Sequence, residues 1–168
     1  MVEKFKTLPI VKSSLISLYL ALTIPLPFIS IGKLKILSII SFFLGLYMIF
    51  NITSDYVETC KNKISFKTSF ISKYFGKKNW EILWEDILLI KSLPTSQGSR
   101  VYYFITKNGD NFLIPQRLEN FEKFLLIIHC KTKLNVEEIS YISPLWTHKL
   151  LTFLSIFMIS GELFAFLG

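Results

Sequence analysis

Residues 13–54 read SSLISLYLALTIPLPFISIGKLKILSIISFFLGLYMIFNITS, and this stretch decides what kind of fold the chain adopts. Its only charges are Lys33 and Lys35. The 20 residues from Ser13 to Gly32 carry none, and a second uncharged run extends from Ile36 to Ser54. A bilayer hydrocarbon core of about 30 Å is crossed by about 20 apolar helical residues, so each run is long enough to span. The Lys33-Leu34-Lys35 link is short enough to require a tight helical hairpin. A secretory signal peptide is the competing reading of the first run, but no small-residue cleavage site follows it and a second apolar run does. Pro25-Leu26-Pro27 should kink the first helix or end it early.

Working outward, the whole chain keeps the same bias. It has 168 residues, 51% hydrophobic and 18% charged, with a net charge of +7. That is too little charge to coat a soluble protein of this size. Few charges, 7 Gly and 2 Cys exclude disordered, collagen-like and disulfide-scaffold classes. Lys outnumbers Arg 17 to 2, and 23 Ile stand against 5 Val and 2 Ala, which points to a biased coding sequence. Placement of charge is therefore more informative than its amount. Leu150 to Gly161 is a third apolar stretch, extended through Glu162 to Gly168, with Trp146, His148 and Lys149 before it as interface anchors. It predicts a third membrane helix, a re-entrant or interfacial helix being the alternative. Between the second and third runs, residues 55–149 hold 14 Lys+Arg and 10 Asp+Glu, the chemistry of a water-exposed domain. The predicted organisation is a tail at 1–12, a transmembrane hairpin at 13–54, a β-rich domain at 55–133, a linker at 134–149 and a membrane helix at 150–168. Lys4, Lys6 and Lys12 in the tail and Lys61, Lys63, Lys67 and Lys73 after the hairpin place tail and domain on the cytoplasmic or stromal side of a plasma or thylakoid membrane.

Within the central domain the apolar period is two as far as about residue 115. Tyr56–Cys60 is a short strand candidate. Ile64, Phe66, Thr68 and Phe70 alternate with Ser65, Lys67 and Ser69, and Trp80, Ile82 and Trp84 alternate with Glu81, Leu83 and Glu85. Gly76-Lys77-Lys78-Asn79 is a turn. Ile87 to Ser92 reads as a strand buried on both faces, and Pro94 to Arg100 as a loop. Asn108-Gly109 between Val101–Thr106 and Asn111–Ile114 is a strong hairpin signal. After Pro115 the period becomes helical, with Leu118, Phe121, Leu125 and Ile128 on one stripe, widened by Phe124. The domain is thus expected to hold six or seven antiparallel strands closed by one amphipathic helix.

Trp84-Glu85-Asp86-Ile87 leading into Leu88-Leu89-Ile90, the Asn108-Gly109 hairpin, and Ile114-Pro115 before Leu118-Glu119-Asn120-Phe121-Glu122-Lys123-Phe124 together resemble the bacterial pleckstrin-homology-like domains. The resemblance covers roughly residues 13–133, since many such proteins carry a helical hairpin before the domain. It implies a membrane α+β protein whose PH-like antiparallel β sandwich or barrel is capped by one helix. The third apolar segment departs from the simplest layout of that family. In architecture alone, the chain is also similar to a photosystem I assembly factor, with two helices followed by a compact mixed domain.

Chemistry is harder to find. Neither GxxxxGK[ST] nor GxGxxG occurs, His129 and His148 lack metal-ligand spacing with Cys60 and Cys130, and no cofactor is implied. Glu85-Asp86, adjacent on a strand, would face opposite ways. Lys61, Lys63, Lys67, Lys77 and Lys78 form a candidate basic surface for anionic lipid or a partner. On the membrane helices, Thr152, Ser155 and Glu162 share one face, and Ser38, Ser41 and Gly45 make a small-residue stripe that would receive it. That packing predicts an ion pair between Glu162 and Lys33 or Lys35, the alternative being a Glu162 that simply reaches the head groups. The expected function is a non-enzymatic interaction module, an assembly or scaffold factor bound to the bilayer and to a membrane protein complex, with no nucleic acid involved; the similarity to the photosystem I assembly factor implies that this complex is a photosynthetic one under assembly. A lipid- or small-ligand-binding regulator is the alternative.

Overall fold

The computed structural model describes residues 2–167. The chain divides into two compact units, one made of residues 1–8 and 54–143, the other of residues 9–53 and 144–168.

The first unit holds two antiparallel sheets. One has four strands in sequence order: β1 (Glu3–Lys6), β2 (Tyr56–Thr59), β3 (Lys63–Lys67) and β4 (Trp80–Leu83). The other has three: β5 (Ile87–Pro94), β6 (Arg100–Thr106) and β7 (Asn111–Leu113). Asn108-Gly109 forms the β6–β7 turn, and Gly109 supplies the positive φ of 85° that the turn requires. Residues 3–6 correct the reading of 1–12 as a tail. They form an edge strand in register with β2, Glu3 opposite Thr59 and Lys6 opposite Tyr56. Phe5 is buried, Lys4 pairs across the strands with Glu58 at 2.9 Å, and Glu3 reaches Lys123 at 2.6 Å. The apolar hairpin is therefore an insertion between two neighbouring strands.

Two of the strands end earlier than their alternation suggests. After β3 the chain folds into a short helix, α4 (Phe70–Tyr74), capped by Ser69, whose hydroxyl accepts the Ser72 amide. After β4 it makes a 3-10 turn at Trp84–Asp86, so Glu85 and Asp86 are not strand residues. Helix α5 (Phe121–Thr132) closes the core with Phe121, Phe124 and Ile128. Leu118, also buried, precedes the helix, and Leu125 sits at the margin of the core. Phe124 rather than Leu125 is thus the central residue of the helix–sheet contact, its ring 5.3 Å from that of Phe5. Residues 134–143 belong to this unit rather than to a free linker. Ile139 is buried, the Tyr102 hydroxyl donates to the Glu138 carbonyl, and buried Gln116 donates to the Arg100 and Ser140 carbonyls. A fragment cut at 55–133 would lose both β1 and this strap.

The second unit is helical: α1 (Pro9–Thr23), α2 (Pro25–Ile29), α3 (Lys33–Ile52) and α6 (Leu145–Leu167). It contains three helical segments long and apolar enough to cross a membrane, at Pro9–Ile29, Lys33–Ile52 and Leu145–Phe166. The first is interrupted at Ile24-Pro25, as the two prolines require, because a proline ring cannot continue the backbone hydrogen-bond ladder. The turn lies at residues 30–32, where Gly32 takes a φ of 60°, and Lys33 and Lys35 are already in the first turn of α3. No residue of α3 is buried. Its Leu34, Ile36, Leu37, Ile40, Phe43 and Leu44 are all exposed, which is the distribution expected where lipid supplies the surroundings.

Candidate interaction surfaces

The five lysines do not form one patch. Lys61 and Lys63 lie at the β2–β3 turn. Lys67, Lys77 and Lys78 lie at the opposite end of the sheet, because Lys67 pairs in register with Tyr56 at the start of β2. At about 3.3 Å per strand residue, Lys63 and Lys67 are roughly 13 Å apart along β3. Two of the five are also engaged. Lys63 donates to Glu81 at 2.7 Å, which holds the Glu81 carboxyl below its usual range and raises the Lys63 ammonium above its own. Lys77 donates to Asp55 at 2.6 Å.

Asp55 is the residue that sequence reasoning passed over. It is the first charge after the second apolar run, and its side chain is only 6% exposed. Its Oδ1 accepts the Ser69 amide at 3.0 Å, its Oδ2 accepts the Lys77 ammonium, and its carbonyl accepts the Thr7 hydroxyl at 3.1 Å. One buried carboxylate therefore clamps both sides of α4, and its backbone is tied to the residue that follows β1. A buried carboxylate demands such partners, since desolvation without them would cost several kcal/mol. Beyond this clamp, α4 and the residue after it hold three large aromatics in the open: Phe70 is 85% exposed, Tyr74 87% and Phe75 60%.

A second surface lies on the three-stranded sheet. Tyr102, Phe104 and Thr106 point inward, so Val101, Tyr103 and Ile105 point outward. The register sets Leu93 opposite Val101, Lys91 opposite Tyr103, and Tyr103 opposite Leu113. Leu89, Leu93 and Leu113 are exposed, as is Leu88 at the irregularity between Ile87 and Leu89. The expectation that residues 87–92 are buried on both faces is thus corrected: one face packs on the core through Ile87 and Ile90, and the other is an uncovered apolar surface around Lys91.

The helical unit corrects two further expectations. Helix α6 packs along α1 rather than α3. Ser14 and Ala21 of α1 and Ser155 of α6 are buried, and Ser14 Oγ lies 3.1 Å from His148 Nδ1. Ser14, Ser17 and Ala21 form a small-residue face that was not singled out from the sequence. The stripe on α3 does admit a neighbour, but that neighbour is α1. The Tyr19 hydroxyl donates toward the Ser41 and Phe42 carbonyls, and a Cβ added at Gly45 would lie 2.3 Å from that hydroxyl. Ser38 donates to the Lys35 carbonyl within its own helix. Glu162 makes no ion pair with Lys33 or Lys35, because the helix that bears it lies on α1. Among the described residues its Oε2 is the buried side-chain oxygen without a hydrogen-bond partner. Nearby, Phe166 stacks on Phe28 of α2, with ring centroids 5.1 Å apart.

No family model matches the chain. It is similar to an uncharacterised protein of Synechocystis sp. (strain ATCC 27184 / PCC 6803 / Kazusa), 28% identical over an alignment of 168 positions that takes in 96% of this chain and 84% of the relative. At that coverage the similarity takes in residues of both units.

Proposed function

We propose that the protein is a non-enzymatic, membrane-anchored interaction module. Its three apolar helices span a bilayer, and its β-rich unit, on the cytoplasmic or stromal side, engages a membrane protein complex as an assembly or scaffold factor. The observation that carries this reading is the uncovered apolar face of the three-stranded sheet, where Leu89, Leu93, Val101, Tyr103, Ile105 and Leu113 lie together in register. A contiguous exposed apolar surface of this kind is the usual mark of an interaction site. The four-plus-three strands closed by a helix support a pleckstrin-homology-like sandwich, and a photosynthetic complex is the partner that the similarity in layout favours.

The test places a photo-crosslinking residue at Leu93 of the full-length protein, and at Lys107 on the β6–β7 turn as a control, in native membranes. A discrete adduct with one membrane protein from position 93 and none from 107, lost when Tyr103→Glu is added, is the expected result. Absence of any position-93 adduct, or release of the protein by carbonate, would refute the reading.

A further inference from the structure

Three large aromatics stand exposed within six residues, Phe70 and Tyr74 almost fully, which a soluble surface rarely tolerates without a partner. Phe70 and Tyr74 bound α4, Phe75 follows it, and the clamp on Asp55 fixes the segment that presents them. The register fixes where the segment lies on its sheet. Lys6 at the end of β1, Tyr56 at the start of β2 and Lys67 at the end of β3 are aligned side by side, and Trp80 at the start of β4 pairs with Phe66. The edge of the sheet that carries α4 is therefore the edge at which the chain leaves for α1 and returns from α3. Thr7 and Asp55, the residues beside those two exits, are hydrogen-bonded to each other, and Asp55 holds Ser69 and Lys77.

Charge completes the picture. Lys77 is committed to Asp55, but Lys67, Lys73 and Lys78 make no ion pair among the described residues; Lys73 lies within α4, Lys67 just before it and Lys78 shortly after it. Aromatic rings flanked by lysines suit the head-group layer of a bilayer. There the ring has an apolar side and a wet side, and each ammonium meets lipid phosphate.

We propose that α4 is an interfacial anchor: Phe70, Tyr74 and Phe75 enter the head-group region of an anionic bilayer, steered by Lys67, Lys73 and Lys78. The proposal rests on the reading that the apolar helices span. It adds a second, non-spanning point of attachment that depends on lipid charge. Because the segment is covalently tethered close to both exits, a weak intrinsic affinity suffices, as the effective lipid concentration is high.

The experiment uses the full-length chain in nanodiscs of neutral phosphatidylcholine or of phosphatidylcholine with phosphatidylglycerol. An environment-sensitive fluorophore is attached at Tyr74→Cys in a Cys60→Ala, Cys130→Ser background. A second protein, with Cys60→Ala alone, carries the label on exposed Cys130 as reference. The expected result is blue-shifted emission at position 74, quenched by nitroxide-bearing lipid, in anionic discs only, while the Cys130 label reports water in both. Lys73→Gln and Lys78→Gln should each weaken the inserted population by about fivefold, and both substitutions lie on exposed side chains outside the Asp55 clamp. Emission at position 74 that matches water in both lipids would overturn the proposal. So would equal quenching in neutral and anionic discs, or quenching insensitive to the two lysines. Resistance of the same samples to carbonate extraction shows whether the spanning helices hold independently of that outcome.

Discussion

The Asp55 clamp makes a rank-order prediction that a surface ion pair would not. Lys77→Met leaves a carboxylate only 6% exposed with the Ser69 amide as its side-chain partner. Removing one partner of a buried charge costs about 3–5 kcal/mol, because the other charge stays desolvated. Asp55→Asn is milder. The Ser69 amide keeps its acceptor, and the Lys77 ammonium, 49% exposed, recovers water. The loss is then about 1.5–2 kcal/mol, the low end for a hydrogen bond to a charged group. The double variant should be more stable than Lys77→Met alone, since it no longer buries an unpaired charge. For a unit of this size, 1 kcal/mol moves the midpoint by about 4–8 °C, so Asp55→Asn should melt about 10 °C and Lys77→Met about 20 °C below wild type. Near-ultraviolet circular dichroism of the detergent-solubilised full chain, reporting Trp80 and Trp84, measures this. A Lys77→Met protein that melts with or above Asp55→Asn would refute the account of a desolvated carboxylate.

Four further outcomes are expected. Phe124→Ala should cost about 3–5 kcal/mol and Leu125→Ala distinctly less, because Phe124 is fully buried and Leu125 marginal; thermal melts compare them directly. Gly45→Ala should loosen the α1–α3 contact by driving its Cβ into the Tyr19 ring, and Tyr19→Leu should restore it, read as protease resistance of the helices in detergent. Glu162→Gln should be neutral or stabilising, since the carboxylate has a buried oxygen without a partner; a lower melting temperature would show that the charge is paired after all. Burial, with the nearby Glu122 charge second, raises the Tyr141 phenol above its ordinary range, so the neutral phenol favours the folded state. That contribution is whole below about pH 10 and is lost as pH rises through the elevated value. Tyr141→Phe should remove this alkaline decline from the pH–stability curve.

The sequence was most legible where one physical signal dominated. Uncharged runs placed all three long helices, although their starts lie three or more residues earlier than the runs, since Pro9, Lys33 and Trp146 are tolerated at helix beginnings. Asn108-Gly109 placed its hairpin because few residues accept that turn. Elsewhere the signal was local and the outcome was not. Lys4-Phe5-Lys6 alternates like a strand, but its partner lies beyond two apolar helices, where pattern alone gives no reason to look. The lysines near residue 61 and near residue 77 are close in sequence yet separated by the length of β3. Ile87 to Ile90 is uniformly apolar, and composition cannot say which of its two faces a core will cover. The α6 contact was misassigned because small-residue stripes occur on both α1 and α3, and only packing chooses between them.

The placement of β1 also orders events during synthesis. This strand leaves the ribosome before the helical hairpin, and its hydrogen-bonding partner, β2, emerges only after that hairpin has been made. Until β2 appears, Phe5 and the strand edge around it wait unpaired. Closure of the β-rich unit therefore waits until the whole helical hairpin has been made. A nascent chain released before β2 is made would keep an open, adhesive sheet edge.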